Sequence, residues 1–180
     1  MNHRLLILLP AALVLSVGLT GCNLIAPLLN AALPLAGVKF AFSCMPEHVM
    51  VDTPTGPRRA GSVTAGDVVM GYGGQPVRVL QKHTYLESSA TEFLTIRFSD
   101  GAEVEVCGMH RVAGVRARNL KPGEIVAGRR VVSVSRHSGE KRSCDLLTED
   151  KGYRIGGVPV NSMIEEMHRA AVKGVDGIRD

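Results

Sequence analysis

A thirteen-residue stretch occurs twice in this chain, and that duplication restricts the fold more than any other feature of the sequence. Arg59-Ala60-Gly61-Ser62-Val63-Thr64-Ala65-Gly66-Asp67-Val68-Val69-Met70-Gly71 aligns without gaps on Arg116-Ala117-Arg118-Asn119-Leu120-Lys121-Pro122-Gly123-Glu124-Ile125-Val126-Ala127-Gly128. Each copy runs on into a Val-rich strand that ends in a basic residue and a His, Lys82-His83 in the first half and Arg136-His137 in the second. A hairpin-like segment follows in both, from Phe93 and from Asp145. Two copies of one β unit, each about 55 residues long, predict a pseudo-twofold sheet structure in which neither half buries its apolar face alone. Function is then expected where the two halves meet.

From Cys44 onward, short Val-rich runs are separated by Gly, Pro, Asp and Ser. Residues 49–51, 67–71, 77–81, 93–98, 103–107, 125–127, 131–135, 145–148 and 153–155 read as strands. Ser99-Asp100-Gly101 is a tight-turn signal that makes 93–107 a hairpin. The tail, 163–180, reads as an amphipathic helix on Met163, Ile164, Met167, Ala170 and Ala171, with Ser162 and Glu165 as a capping box. Aromatic residues make up 4% of the chain and Trp is absent, so the core is expected from Val, Ile, Leu and Met. The fold class this predicts is all-β with one C-terminal helix.

The N-terminal end differs in texture. Arg4 precedes an apolar run from Leu5 to Leu19, too short and wrongly flanked to span a membrane, which reads as a secretory signal over 1–21. It closes on Leu19-Thr20-Gly21-Cys22, which resembles the lipobox of bacterial lipoproteins and implies cleavage before Cys22 and lipidation of its thiol. Residues 22–43 carry Pro27 and Pro34, which break a long helix, and read as an apolar tether to the membrane. The expected location is the cell envelope, with the membrane as partner through the lipid on Cys22. Removing 1–21 takes one Arg, so 20 basic minus 17 acidic residues leaves +3, and the signs are interleaved. That balance gives no footprint for nucleic acid. Three cysteines remain, Cys44, Cys107 and Cys144, and in an oxidising compartment an odd count implies one bridge and one thiol.

The placement of Cys, His, Asp and Asn matches a known pattern. Ser43-Cys44-Met45-Pro46 is followed by Val49-Met50-Val51 and by a Gly66-Asp67 turn. Cys107-Gly108-Met109-His110 precedes Leu120-Lys121-Pro122-Gly123-Glu124. Cys144-Asp145-Leu146 precedes Tyr153-Arg154-Ile155-Gly156-Gly157-Val158-Pro159-Val160-Asn161-Ser162. In this order the stretch 44–162 resembles the Hint (Hedgehog/intein) family of self-processing domains, discs of short strands with internal pseudo-twofold symmetry. Two positions depart from the family: Cys107 stands where Thr is usual, and Val160 where His is usual.

The resemblance implies roles. Cys44 is the nucleophile that attacks the carbonyl of Ser43 and exchanges a peptide bond for a thioester. His110 is the acid for the departing amine, since imidazole gives and takes protons near neutral pH. Asp145 deprotonates Cys44 or steadies the intermediate, or else simply caps a turn at a strand end. Asn161 cyclises in splicing members, and Val160 removes the acid beside its carbonyl, which disfavours full splicing. Cys107 and Cys144 are both expected to approach Cys44, and a Cys44–Cys107 or Cys44–Cys144 bridge would silence the nucleophile until reduced. The alternative is a catalytically silent, bridged envelope module that keeps the fold for binding or assembly. No cofactor is expected. No metal is expected either, because His48, His83, His137 and His168 show no zinc-type spacing.

Overall fold

The computed structural model describes residues 44–168. The expected signal segment, the lipidation site Cys22, the tether, Ser43 and the tail beyond 168 lie outside the described residues.

In chain order the strands are β1 Met45–Pro46, β2 Met50–Val51, β3 Arg58–Arg59, β4 Val68–Met70, β5 Pro76–Leu86, β6 Glu92–Phe98 and β7 Glu103–Cys107. They continue as β8 Arg111–Val112, β9 Val115–Arg116, β10 Ile125–Val126, β11 Arg129–Ser138, β12 Arg142–Thr148, β13 Gly152–Ile155 and β14 Val158–Asn161. Residues 163–168 begin a helix, and among the described residues no helix is long and apolar enough to cross a membrane.

Two four-stranded sheets carry the duplication. One has the order β1-β12-β5-β4 and the other β7-β6-β11-β10, so the halves correspond strand for strand. Each long strand pairs with the other half: β5 runs antiparallel to β12, with His83 opposite Asp145, and β11 runs antiparallel to β6, with His137 opposite Phe93. This exchange is why neither half closes its core alone. A third sheet, β13-β14-β8-β9, and the β2-β3 ribbon complete the fold.

The repeated stretches adopt one conformation. Ala60–Ser62 and Ala117–Asn119 are single 3-10 turns. The Ala60 N–H donates to the Val49 carbonyl and that of Ala117 to the His110 carbonyl, both at 2.8 Å. Gly66 and Gly123 each have φ +94° and donate at 2.8 Å to Val79 and Val131. Only glycine takes that backbone conformation without strain, which explains its recurrence in both copies. The equivalence makes Val49 the counterpart of His110, so the same turn carries an apolar side chain in one copy and an imidazole in the other.

The core is built as expected, from residues such as Val51, Val69, Ile96, Val104, Leu146 and Val160. Hairpin β6–β7 forms across Asp100-Gly101. The long strands β5 and β11 extend past the expected 77–81 and 131–135, and so do not end at Lys82-His83 or Arg136-His137. Partners on β12 and β6 hold the backbone of these polar stretches, so apolar alternation is not needed to keep them extended. The short strands β1, β3, β8, β9 and the four-residue β14 have too few residues to show a period.

Candidate active site

Strand β12 sets the geometry. Side chains alternate across a strand, so Ser143 and Asp145 share one face and Cys144 takes the other, packed into the core. Asp145 is fully buried with four donors. Its Oδ1 accepts the Tyr153 hydroxyl at 2.8 Å. Its Oδ2 accepts the backbone N–H groups of Met163 at 2.7 Å and Ile164 at 2.9 Å, and the Ser162 hydroxyl at 3.2 Å. A buried carboxylate without a cation needs such a set, and the first turn of a helix offers it with a favourable dipole. Ser162 caps the same helix through Glu165 N–H at 3.4 Å, as the capping box predicts. The turn-capping alternative for Asp145 thus has a structural basis, on a helix rather than a turn.

His110 lies in the turn after β7, its N–H bonded to the Cys107 carbonyl at 3.0 Å. It is completely buried. Nε2 is 2.8 Å from the Asn161 carbonyl oxygen, 3.4 Å from the Tyr153 hydroxyl and 3.9 Å from Asp145 Oδ1. A carbonyl only accepts, so Nε2 carries the proton and donates to Asn161. Nδ1 is buried with no hydrogen-bond partner among the described residues, which leaves its lone pair available in the neutral ring. This corrects the expectation for Asn161: Val160 pairs with Tyr153 and Val112 in the sheet, and the donor to the Asn161 carbonyl comes from His110 instead. The Asn161 side chain is held by its Oδ1, which accepts the Gly114 N–H at 3.0 Å.

Cys44 opens the described chain beside this set. Its carbonyl accepts the Cys107 N–H at 2.9 Å. Burial and the Asp145 carboxylate push its thiol pKa well above the ordinary value, against a smaller opposing effect of a hydrogen bond with Ser143. Ser143 Oγ in turn donates to Glu87. Cys107, where Thr is usual, adds its own charge effect on Cys44. Cys44, Cys107 and Cys144 are all buried and reduced, with no disulfide among them. Cys144 pairs with Met45, the residue after Cys44, and its side chain takes the opposite face of β12 from Asp145; burial pushes its thiol up to about 12.

The structure thus gathers Cys44, Cys107, His110, Asp145 and Asn161 in one buried region. Three contributors were not singled out from the sequence. Ser143 was legible as the residue two before Asp145 on one strand, and Tyr153 stood in the quoted stretch 153–162 without a role assigned to it. For Glu87, in the connection between β5 and β6, no sequence signal exists.

Two of the long β-pairings join opposite halves of the duplication, and solved structures with this architecture are known. The MchDnaB-1 intein superposes with a TM-score of 0.56 at 23% identity, over 66% of this chain and 98% of its own. The Msm DnaB1 intein splicing domain gives 0.55 at 23%, over 65% and 98%. The gp41-1 intein gives 0.54 at 16%, over 66% and 98%. The fold is Hint-like. No protein-family model matches the chain, and no curated protein does either. At these identities the Hint-like description covers the backbone architecture, and the chemistry rests on the side chains described above.

Proposed function

We propose that residues 44–162 are a Hint-type self-processing domain that cleaves the Ser43–Cys44 bond by an N-to-S acyl shift. The observation that carries this reading is the buried His110, joined to Asp145 through Tyr153 and bonded to the Asn161 carbonyl, beside the Cys44 thiol. Such a set supplies a nucleophile, a base and a proton carrier away from bulk water.

Cys44 Sγ attacks the Ser43 carbonyl carbon, the S–C bond forms and the C–N bond breaks. The thiol proton passes to Asp145, and His110, once protonated at its open Nδ1 by water, gives that proton to the departing Cys44 nitrogen and returns to the neutral ring. The raised thiol pKa keeps Cys44 protonated at rest, so the attack is coupled to loss of that proton. Water or an added nucleophile then opens the thioester. At the other end, Asn161 Nδ2 attacks its own carbonyl carbon, breaking the bond to Ser162, whose nitrogen takes the Nδ2 proton. His110 Nε2–H stabilises the oxyanion of that step. Secretion and lipidation on Cys22 would place the domain in the envelope and leave the released N-terminal piece on the membrane.

The protonated resting thiol also favours a second reading, a silent module that keeps the fold for binding or assembly. Intact-mass measurement separates the two. Full-length protein treated with thiol and hydroxylamine is expected to yield a fragment beginning at Cys44, absent in Cys44→Ala. His110→Ala is expected to slow its formation by about 10²- to 10⁴-fold. A chain that stays whole under these conditions leaves the silent module.

A further inference from the structure

A second cluster of ionisable groups lies outside this site. His48 Nε2 is 3.0 Å from Glu105 Oε2, and His48 Nδ1 is 3.7 Å from Glu140 Oε2. Ligand atoms of His48, Glu105 and Glu140, one from each residue, lie within 4.8 Å of one another. The other Glu105 oxygen, Oε1, is 3.1 Å from His137 Nε2. It is buried and makes no hydrogen bond of good geometry. Glu105 lies at the base, 15% exposed, while His48 is 52% exposed, so an ion from solvent has a way in.

The three ligands come from the turn after β1, from β7, and from the turn between β11 and β12. His137 is held in place by stacking on Phe93, centroids 6.0 Å apart. We infer that His48, Glu105 and Glu140 form a site for a divalent first-row transition metal ion such as Zn²⁺, with His137 as a positioning residue for the Glu105 carboxylate. One imidazole and two carboxylates suit such an ion, which accepts nitrogen and oxygen donors and fills a fourth position with water. Zinc bonds of about 2.0–2.2 Å imply tetrahedral edges of about 3.3–3.6 Å, and one donor atom from each of the three residues already lies within 4.8 Å of the other two. Small side-chain rotations therefore complete the site. His137 reaches the free side of the bound carboxylate, the usual place for a second partner that orients a ligand.

The site goes beyond self-processing and does not depend on it. Glu105 is two residues from Cys107, His48 four from Cys44 and Glu140 five from Asp145, so a bound ion ties together the three segments that carry the active groups.

The test is titration of full-length Cys44→Ala protein, which cannot cleave at Ser43–Cys44, with Zn²⁺ by calorimetry and with Co²⁺ by absorption. One ion per chain is expected, with no thiolate-to-metal charge-transfer band and a higher thermal midpoint. Glu105→Gln, which keeps shape and removes charge, and His48→Ala are each expected to weaken binding at least tenfold, and His137→Gln by about 10- to 100-fold. His83→Ala, at the equivalent place in the other half, should leave it unchanged. A thiolate band, or undiminished affinity in both His48→Ala and Glu105→Gln, overturns the site. Circular dichroism of each variant separates lost ligation from lost folding.

Discussion

Tyr153 joins the two charged groups of the candidate site. Its hydroxyl donates to Asp145 at 2.8 Å and lies 3.4 Å from His110 Nε2. Burial and Asp145 raise its pKa well above the ordinary value, so it remains a donor over the whole physiological range. Tyr153→Phe keeps the ring but takes one donor from a buried carboxylate, a loss worth about 1–3 kcal/mol. The expected result is a lower urea midpoint with an unchanged far-ultraviolet spectrum, and tenfold or slower thiol-induced cleavage. Wild-type values for both quantities would remove Tyr153 from the mechanism. Cys44, His110 and Asp145 are expected from the order of motifs that resembles the Hint family. Ser143 was within reach of the two-residue strand period before Asp145, whereas the closeness of Tyr153 to His110 is created by folding and no linear spacing reports it. Val160 shows the converse error. Its identity suggested a missing acid, whereas the donor to Asn161 arrives from His110, 51 positions away in the chain.

At the scale of elements, the duplication was legible because its turns impose the same backbone demand twice. Gly66 and Gly123 share a φ of +94°, and a Cβ at either would meet nothing within 4 Å. Alanine there is therefore penalised by backbone strain alone, without a steric clash. Gly66→Ala and Gly123→Ala are each expected to cost about 1–3 kcal/mol. Because the turns feed different strands, β4 and β10, the two losses should add in the double variant. Equilibrium denaturation of the three proteins measures this. A substitution with no loss would show that its turn does not need the left-handed conformation. What the sequence left illegible at this scale was pairing. The strand list fits several sheets, and nothing local specifies that β5 takes β12 and β11 takes β6. That choice follows from burying two incomplete apolar faces at once.

Across the whole molecule, the exchanged strands concentrate acids of raised pKa in one interior. Burial lifts the thiols of Cys44 and Cys144 and the phenols of Tyr85 and Tyr153. All four are neutral in the folded protein at neutral pH, whereas in the unfolded chain Cys ionises near pH ~8.5 and Tyr near ~10. Above those values the unfolded state binds fewer protons than the folded state, so stability falls as pH rises. For Cys144 the contribution is complete below about 8.5 and is lost progressively up to its folded value of about 12. Within that window each such group tilts stability by up to about 1.4 kcal/mol per pH unit. Urea midpoints are therefore expected to change little with these groups between pH 6 and 8 and to drop steeply above about 9. Cys144→Ala lowers stability at neutral pH by leaving a small cavity, yet it should flatten the alkaline slope, because one of the four protons is no longer lost on unfolding. The two effects have different pH dependence, so a pH series distinguishes them. An alkaline slope as steep in Cys144→Ala as in the parent would show that this thiol already ionises in the folded core.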